Sequence, residues 1–182
     1  KKNIQKYTAG RFSPEGLAES ASTIEDDGFH GTSSLQIKRT TKKVNDALIV
    51  CETDLALKSQ QQLFKLYDKI IILSLENESR EISLDSNLSE FKNKALLDFS
   101  KEVSNSSIVK SSELVESIGD TKKFDVIYPF VGEILDFLMG FEEEHNLDFS
   151  FLVKELDQFA WQFANKGFFN FKKNLRQIID QL

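Results

Sequence analysis

Residues 69–76, KIIILSLE, and residues 124–131, FDVIYPFV, are the two stretches on which the fold class depends. Each is a continuous apolar run rich in β-branched side chains, and such a run fits a short buried strand. It fits a buried helix segment equally well, because periodicity does not separate the two over so few residues. The choice between a sheet and a bundle of helices therefore rests on the surrounding sequence.

The sequence around the first run lacks the residues that usually mark turns. From Thr32 through Ile118 there is neither glycine nor proline, and tight β-turns and hairpins use these residues heavily. Apolar side chains recur there at helical spacings of three and four. They are Val44, Leu48, Cys51 and Leu55, then Leu63, Leu66, Ile70 and Leu73, then Leu88, Phe91, Ala95, Phe99 and Val103. This pattern favours long helices.

The C-terminal third continues the helical spacing in three further groups. They are Val131, Ile134, Leu138 and Phe141; Phe149, Leu152, Leu156, Phe159 and Phe163; and Phe171, Leu175, Ile178 and Leu182. We therefore expect an all-α fold, a bundle of five or six helices with an irregular N-terminal arm. The alternative is an α+β fold with a small sheet, in which residues 69–76 and 124–131 are strands.

Residues 1–43 differ in composition from the rest of the chain. They hold four of the eight glycines, one of the two prolines, and eight basic against five acidic side chains. A segment with so few large apolar residues has little capacity to form a core. We expect a loop-rich N-terminal arm over residues 1–43 and a helical bundle domain over residues 44–182.

Charge and composition exclude some classes of function. The chain has 29 acidic and 23 basic side chains, so general nucleic-acid binding is not expected, because the protein as a whole repels a phosphate backbone. The single cysteine, Cys51, allows no intramolecular disulfide. No apolar run approaches the length of a membrane span, and the cytoplasm is the expected compartment.

Four carboxylates form two spaced pairs in the stretch from residue 113 to residue 136. Glu113 and Glu116 lie in ELVE, and Glu133 and Asp136 lie in EILD after sixteen further residues. Residues three apart share a helix face, so two facing helices would bring four oxygen ligands together, as magnesium requires. The stretch resembles the ExxE and ExxD pair of the MazG-type all-α nucleoside triphosphate pyrophosphohydrolases. That resemblance implies a magnesium-dependent enzyme with these four residues as metal ligands.

The region before the C-terminus is unusually aromatic. Residues 159–171, FAWQFANKGFFNF, carry six aromatic side chains in thirteen positions. Some of these side chains lie on the helix face that is expected to pack into the core. Phe168 and Phe169 lie off that face and need other residues, such as those of a partner, to bury them. Basic side chains follow immediately. The predicted partner-binding residues are Phe168, Phe169, Phe171, Lys172, Lys173 and Arg176.

Two functional hypotheses follow from these observations. The first is a non-enzymatic protein-binding module, acting as a regulator, adaptor or chaperone, that docks a protein partner or a second copy of itself through the aromatic C-terminal region. The second is the magnesium-dependent pyrophosphohydrolase. The first needs no cofactor, whereas the second needs magnesium.

Overall fold

A sheet of six parallel strands forms the centre of the fold. The computed structural model describes residues 2–12, 37–55 and 57–181. In space the strands follow the order β1-β6-β5-β2-β3-β4, and every neighbouring pair is parallel. The strands are β1 (Arg39–Thr40), β2 (Ala47–Cys51), β3 (Lys69–Ser74), β4 (Ser106–Lys110), β5 (Lys123–Ile127) and β6 (Asp148–Leu152).

From β2 to β6 a helix connects each strand to the next, because a parallel neighbour is reached only through a crossover. The helices are α1 (Lys2–Tyr7), α2 (Leu57–Phe64), α3 (Ser86–Glu102), α4 (Leu114–Ile118), α5 (Glu133–His145), α6 (Glu155–Trp161) and α7 (Phe168–Ile179). Asp85 caps the N-terminus of α3, where its side chain accepts a hydrogen bond of 2.9 Å from the Asn87 backbone N–H. None of the helices in the described ranges has the length and apolar character to cross a membrane.

The prediction of an all-α bundle is therefore wrong, and the protein has an α/β fold. Both ambiguous runs contain strands, β3 and β5. The runs through Leu48 and Phe149 also contain strands, although their spacing predicts helices. The alternative, an α+β fold with a small sheet, is also wrong, because the sheet has six strands and all of its neighbouring pairs are parallel. An all-α pyrophosphohydrolase fold is absent from the described residues, so the likeness at residues 113–136 does not extend to the architecture.

The core is formed by buried strands and the helices that cover them. Strand β2 is buried at all five positions, and β3 at its four central positions. On one face of the sheet, Phe64 of α2 and Phe99 of α3 pack edge to face with ring centroids 5.6 Å apart. Burial on both faces explains why these strands read as continuous apolar runs.

The chain divides into two units, residues 1–35 and residues 36–182. In the first unit the structure describes α1 and the turn that follows it, and residues 13–36 lie outside the described ranges. Strand β1 falls inside residues 1–43, whose composition predicts a loop-rich arm. The backbone N–H of Phe151 donates to the carbonyl of Lys38 at 2.8 Å, which fastens β1 to β6.

Candidate functional site

The order of the strands reverses beside β2. The chain passes from β2 to β3 and β4 on one side, and then returns to β5 and β6 on the other side. In open α/β sheets, ligands bind at the carboxyl ends of the strands where the order reverses. Here this position lies between the turn that follows β2, beginning at Glu52, and the loop that follows β5, beginning at Tyr128.

Arg80 places a buried guanidinium group at this edge of the sheet, on the β3 side of the reversal. It follows the short 3-10 turn Asn77–Ser79 after β3, and only 1% of its side chain is exposed. Its Nη2 donates to Glu52 Oε1 at 2.6 Å, its Nη1 donates to Glu133 Oε1, and its Nε donates to the Leu75 carbonyl at 3.1 Å. All three guanidinium nitrogens therefore have partners, and these partners follow β2, β3 and β5.

A second cation completes the cluster. Lys92 of α3 donates from Nζ to the same Oε1 of Glu52 that Arg80 binds, and the Glu52 side chain is 3% exposed. The cluster thus has two positive and two negative side chains, which balance in formal charge. Such balance is needed when charges are removed from water, since an unpaired buried ion is very costly. The four side chains tie three strand ends together.

This ion-pair cluster has a consequence for phosphate binding. Doubly wound domains that bind dinucleotides have a glycine-rich turn after the first strand of the nucleotide-binding unit, where backbone N–H groups approach the phosphates. The turn after β2 contains Glu52, Thr53 and Asp54 without a glycine. Its two carboxylates repel phosphate, and the nearby guanidinium is already bonded to carboxylates. The arrangement disfavours a bound phosphate at this turn.

The four predicted magnesium ligands occupy separate parts of the fold. Glu113 ends the 3-10 turn after β4 and Glu116 lies in α4, whereas Glu133 and Asp136 lie in the first turn of α5. Strands β4 and β5 are separated by β2 and β3, so the strands that precede the two pairs lie three strand spacings, about 14 Å, apart. Over the ranges that the structure describes, no three His, Cys, Asp or Glu side chains are grouped to hold a metal ion.

A buried carboxylate lies elsewhere in the sheet, in the middle of β5. Asp125 has no exposed surface and accepts hydrogen bonds from the Val44 N–H at 2.8 Å and from the Tyr67 hydroxyl at 2.6 Å. The N–H and side-chain amide of Asn45 donate to its other oxygen. Burial, and then the bond to Asp125, raise the pKa of Tyr67. These contacts hold the segment that enters β2, so we assign Asp125 a structural role.

The thiol of Cys51 is also buried, at the end of β2. Burial, and then the charge of Glu52, raise its pKa to about 12. A thiol with so high a pKa remains protonated at neutral pH and is a poor nucleophile.

The predicted partner-binding aromatics lie on α7, and two of them are open to solvent. Phe168 is 68% exposed and Phe169 is 78% exposed, and their rings contact each other edge to face with centroids 5.6 Å apart. Leu175 and Ile179 are also exposed. Positions 168, 175 and 179 are separated by seven and four residues, so they share one side of the helix.

The remaining predicted partner-binding residues are divided between the two sides of α7. Phe171 is partly buried, on the same side as the buried Ile178. Lys172, Lys173 and Arg176 are exposed and lie beside the apolar side chains. The helix has no acidic residue, so its exposed surface is both apolar and basic.

Sequence reasoning missed Arg80, Glu52 and Lys92. Their partners are 28 to 53 residues away in sequence, so no local spacing could reveal the cluster. The available signal was a charged residue directly after an apolar run, as in ALIVC followed by Glu52. A residue at that position in a parallel sheet lies at the ligand-binding edge.

Comparison with known proteins gives no independent assignment: no protein-family model, curated protein or solved structure matches this chain.

Proposed function

We propose that this chain is a non-enzymatic protein-binding domain that docks a protein partner through the exposed side of α7. The observation that carries the proposal is the exposure of Phe168 and Phe169, two adjacent large aromatic rings. Aromatic side chains are enriched at protein interfaces, where a few buried anchor residues contribute most of the binding free energy. The simplest partner is a second copy of the chain.

The carboxyl edge of the sheet supports a non-enzymatic role. In doubly wound domains that bind dinucleotides, backbone N–H groups at this edge of the sheet contact a phosphate. Here the edge contains the side chains of Arg80, Glu52 and Glu133, which are bonded to one another. A self-satisfied ion-pair cluster stabilises the fold and leaves its donors and acceptors committed to one another. This part of the molecule therefore acts as a scaffold for the helices.

The composition of α7 supports a protein as the partner. Exposed apolar side chains at 168, 169, 175 and 179 are bordered by three cations, Lys172, Lys173 and Arg176. An apolar centre with a charged border is the usual anatomy of a protein interface. The protein as a whole carries a net charge of −6, so a second copy offers acidic surface to this basic border.

The exposed end of α5 offers such an acidic surface. Glu143 and Glu144 are exposed there, whereas Glu142 accepts a hydrogen bond of 2.6 Å from the Phe149 backbone N–H. Contact between Glu143 and Glu144 of one copy and the cations of α7 of another would set orientation and salt sensitivity more than affinity. We therefore expect association to weaken as salt increases.

Sedimentation equilibrium of wild type, Phe168→Ala and Phe169→Ala tests the proposal. Each substitution is expected to weaken association by about 1 to 3 kcal/mol if the ring is a central anchor. Phe91→Ala is the matched control, because Phe91 of α3 is also 68% exposed and lies outside the proposed surface. Circular dichroism tests whether each of the four proteins is folded.

A wild-type protein that stays monomeric at every concentration would contradict self-association. If the Phe168 and Phe169 variants also lost their fold, the rings would belong to the core and α7 would have no docking role. If Phe91→Ala weakened association equally, any exposed apolar side chain would promote association and the effect would not be specific to α7. Binding to anionic vesicles, in a parallel flotation assay with monomeric protein, would favour a membrane surface and contradict a protein partner.

A further inference from the structure

A cleft opens on the other side of the strand-order reversal, between the carboxyl ends of β2, β5 and β6 and helix α6. Its volume is about 310 Å³, which lies at the lower end of the range for small-molecule sites. It is separate from the ion-pair cluster of Arg80 and from α7. Its lining residues include Asp54, Tyr128, Phe130, Lys154, Asp157 and Trp161.

Aromatic rings form one wall of the cleft. The ring centroid of Tyr128 lies 5.5 Å from that of Phe130 and 5.9 Å from that of Trp161. Phe130 has a φ of 65°, a left-handed conformation that is strained for a bulky residue. Residues in such conformations cluster at functional sites, where the surrounding structure holds them in place. Here the strained residue contributes a ring to the cleft.

The protein already places a cation against these rings. The Arg39 guanidinium lies 5.8 Å from the ring centroid of Tyr128 and 5.6 Å from that of Trp161. Both distances fall in the range over which an aromatic face attracts a cation. Arg39 belongs to the edge strand β1 and is exposed, so these two rings already accept positive charge from a solvent-exposed side chain.

The charged lining is predominantly acidic. Asp54, Glu155 and Asp157 contribute three carboxylates, while Lys154 contributes one ammonium group. The Nζ of Lys154 lies 2.9 Å from Asp54, which is mostly buried. Even when Arg39 is included, carboxylates outnumber cations by three to two. A cleft with this balance attracts a cation and repels a phosphate or carboxylate.

We propose that this cleft binds a small organic cation, an amine or quaternary ammonium group with an apolar body, between the aromatic wall of Tyr128, Phe130 and Trp161 and the carboxylate of Asp157. The apolar body would displace water from Leu152 and Ile127. The positive group would lie near the rings and the carboxylate, where both interactions favour it. This site is independent of the docking surface on α7.

Intrinsic fluorescence provides a direct readout, because Trp161 is the only tryptophan in the chain and lines the cleft. Benzyltrimethylammonium is the probe, and phenylacetate, an anion with a similar apolar body, is the comparison. We expect a saturable change in Trp161 emission with the cation and none with the anion. Equal binding of both ions would show simple apolar partition and would overturn the proposal, as would no saturable change with the cation.

Three variants sharpen the test. Asp157→Asn is expected to weaken binding of the cation about 3- to 10-fold, which corresponds to the loss of one favourable charge contact. Asp98→Asn is the control, because it removes the same charge from an exposed position on α3 outside the cleft. Arg39→Ala is expected to leave binding as tight or tighter, since it uncovers the ring faces. Equal affinity in Asp157→Asn and wild type, or loss of binding in Arg39→Ala, would overturn the assignment.

Discussion

The Glu52 carboxylate lies 2.6 Å from Nη2 of Arg80, and both side chains are almost entirely shielded from solvent. Glu52 directly follows β2 and Arg80 follows β3, so the pair connects two neighbouring strands at their carboxyl ends. Its position beside the reversal of strand order gives the pair a structural role where many α/β proteins bind a ligand.

Arg80→Ala is expected to lower the free energy of unfolding by about 3 to 5 kcal/mol, because it leaves Glu52 buried with only Lys92 as a charged partner. Chemical denaturation monitored by circular dichroism measures the change. Lys94→Ala is the control, since Lys94 forms an exposed ion pair with Glu90 and should cost at most about 1 kcal/mol. Similar small losses in both variants would show that the buried cluster contributes little.

Glu133→Gln is expected to destabilise the fold, because it weakens a charged partner of Arg80. A magnesium cage would predict the opposite in the absence of metal, since removing one of four clustered carboxylates relieves repulsion. Asp136→Asn, in the same first turn of α5 and exposed, is the matched control. We expect about 1 to 3 kcal/mol for Glu133→Gln and less than about 1 kcal/mol for Asp136→Asn. A stabilising effect of Glu133→Gln would contradict the ion pair.

Tyr67→Phe is expected to lower the free energy of unfolding at neutral pH by about 1.5 to 3 kcal/mol, because Asp125 loses a hydrogen bond from a buried hydroxyl. Denaturant titration measures the change. Tyr7→Phe is the control, because Tyr7 in α1 is 78% exposed. A loss no larger than that of the control would show that the hydroxyl is dispensable.

The same tyrosine predicts a dependence on alkaline pH. The pKa of Tyr67 is raised in the folded state above its ordinary 10.0, so its protonated form is favoured by folding. This contribution to stability is fully present below pH 10 and is lost as the pH rises towards the folded-state pKa. Between about pH 10 and 12, the wild type should therefore lose more stability than Tyr67→Phe. Parallel losses in the two proteins would contradict the assignment.

Ser150→Ala is expected to raise the free energy of unfolding by about 1 kcal/mol. Ser150 in β6 has no exposed surface, and among the described residues its hydroxyl has no hydrogen-bond partner. An unsatisfied buried hydroxyl costs free energy that a methyl group avoids. Ser107→Ala, at an exposed position of β4, is the control and should not stabilise. Destabilisation by Ser150→Ala would show that the hydroxyl is bonded in solution.

The mistaken prediction of helices has a specific cause in β2. Its residues, ALIVC, are buried at every position, because a parallel strand in the middle of the sheet is covered on both faces. A continuous apolar run always contains positions three and four apart, so Leu48 and Cys51 matched the helical spacing. The absence of glycine and proline pointed in the same direction. Parallel strands joined by helices need no hairpin turns, so that absence was also compatible with this sheet.

Local sequence was sufficient to predict a helix where that helix has one buried side. The spacing from Leu88 to Val103 predicted a helix that overlaps α3, and the spacing from Val131 to Phe141 predicted a helix that overlaps α5. The exposed Phe168 and Phe169 also fall off the buried side of α7, as the spacing indicated. In each case the interaction that matters lies within a few residues along the chain.

The sequence by itself therefore determined the helices with one apolar side, the acidic charge of the chain and the surplus of aromatic residues near its C-terminus. Only the tertiary structure decided the order of the strands, the partners of Arg80 and the meeting of Tyr128 with Trp161. Neighbouring strands bring together residues that are far apart in sequence. The free energy that favours this pairing comes from the side chains that pack on both faces of the sheet. Such long-range packing leaves no fixed spacing in the chain.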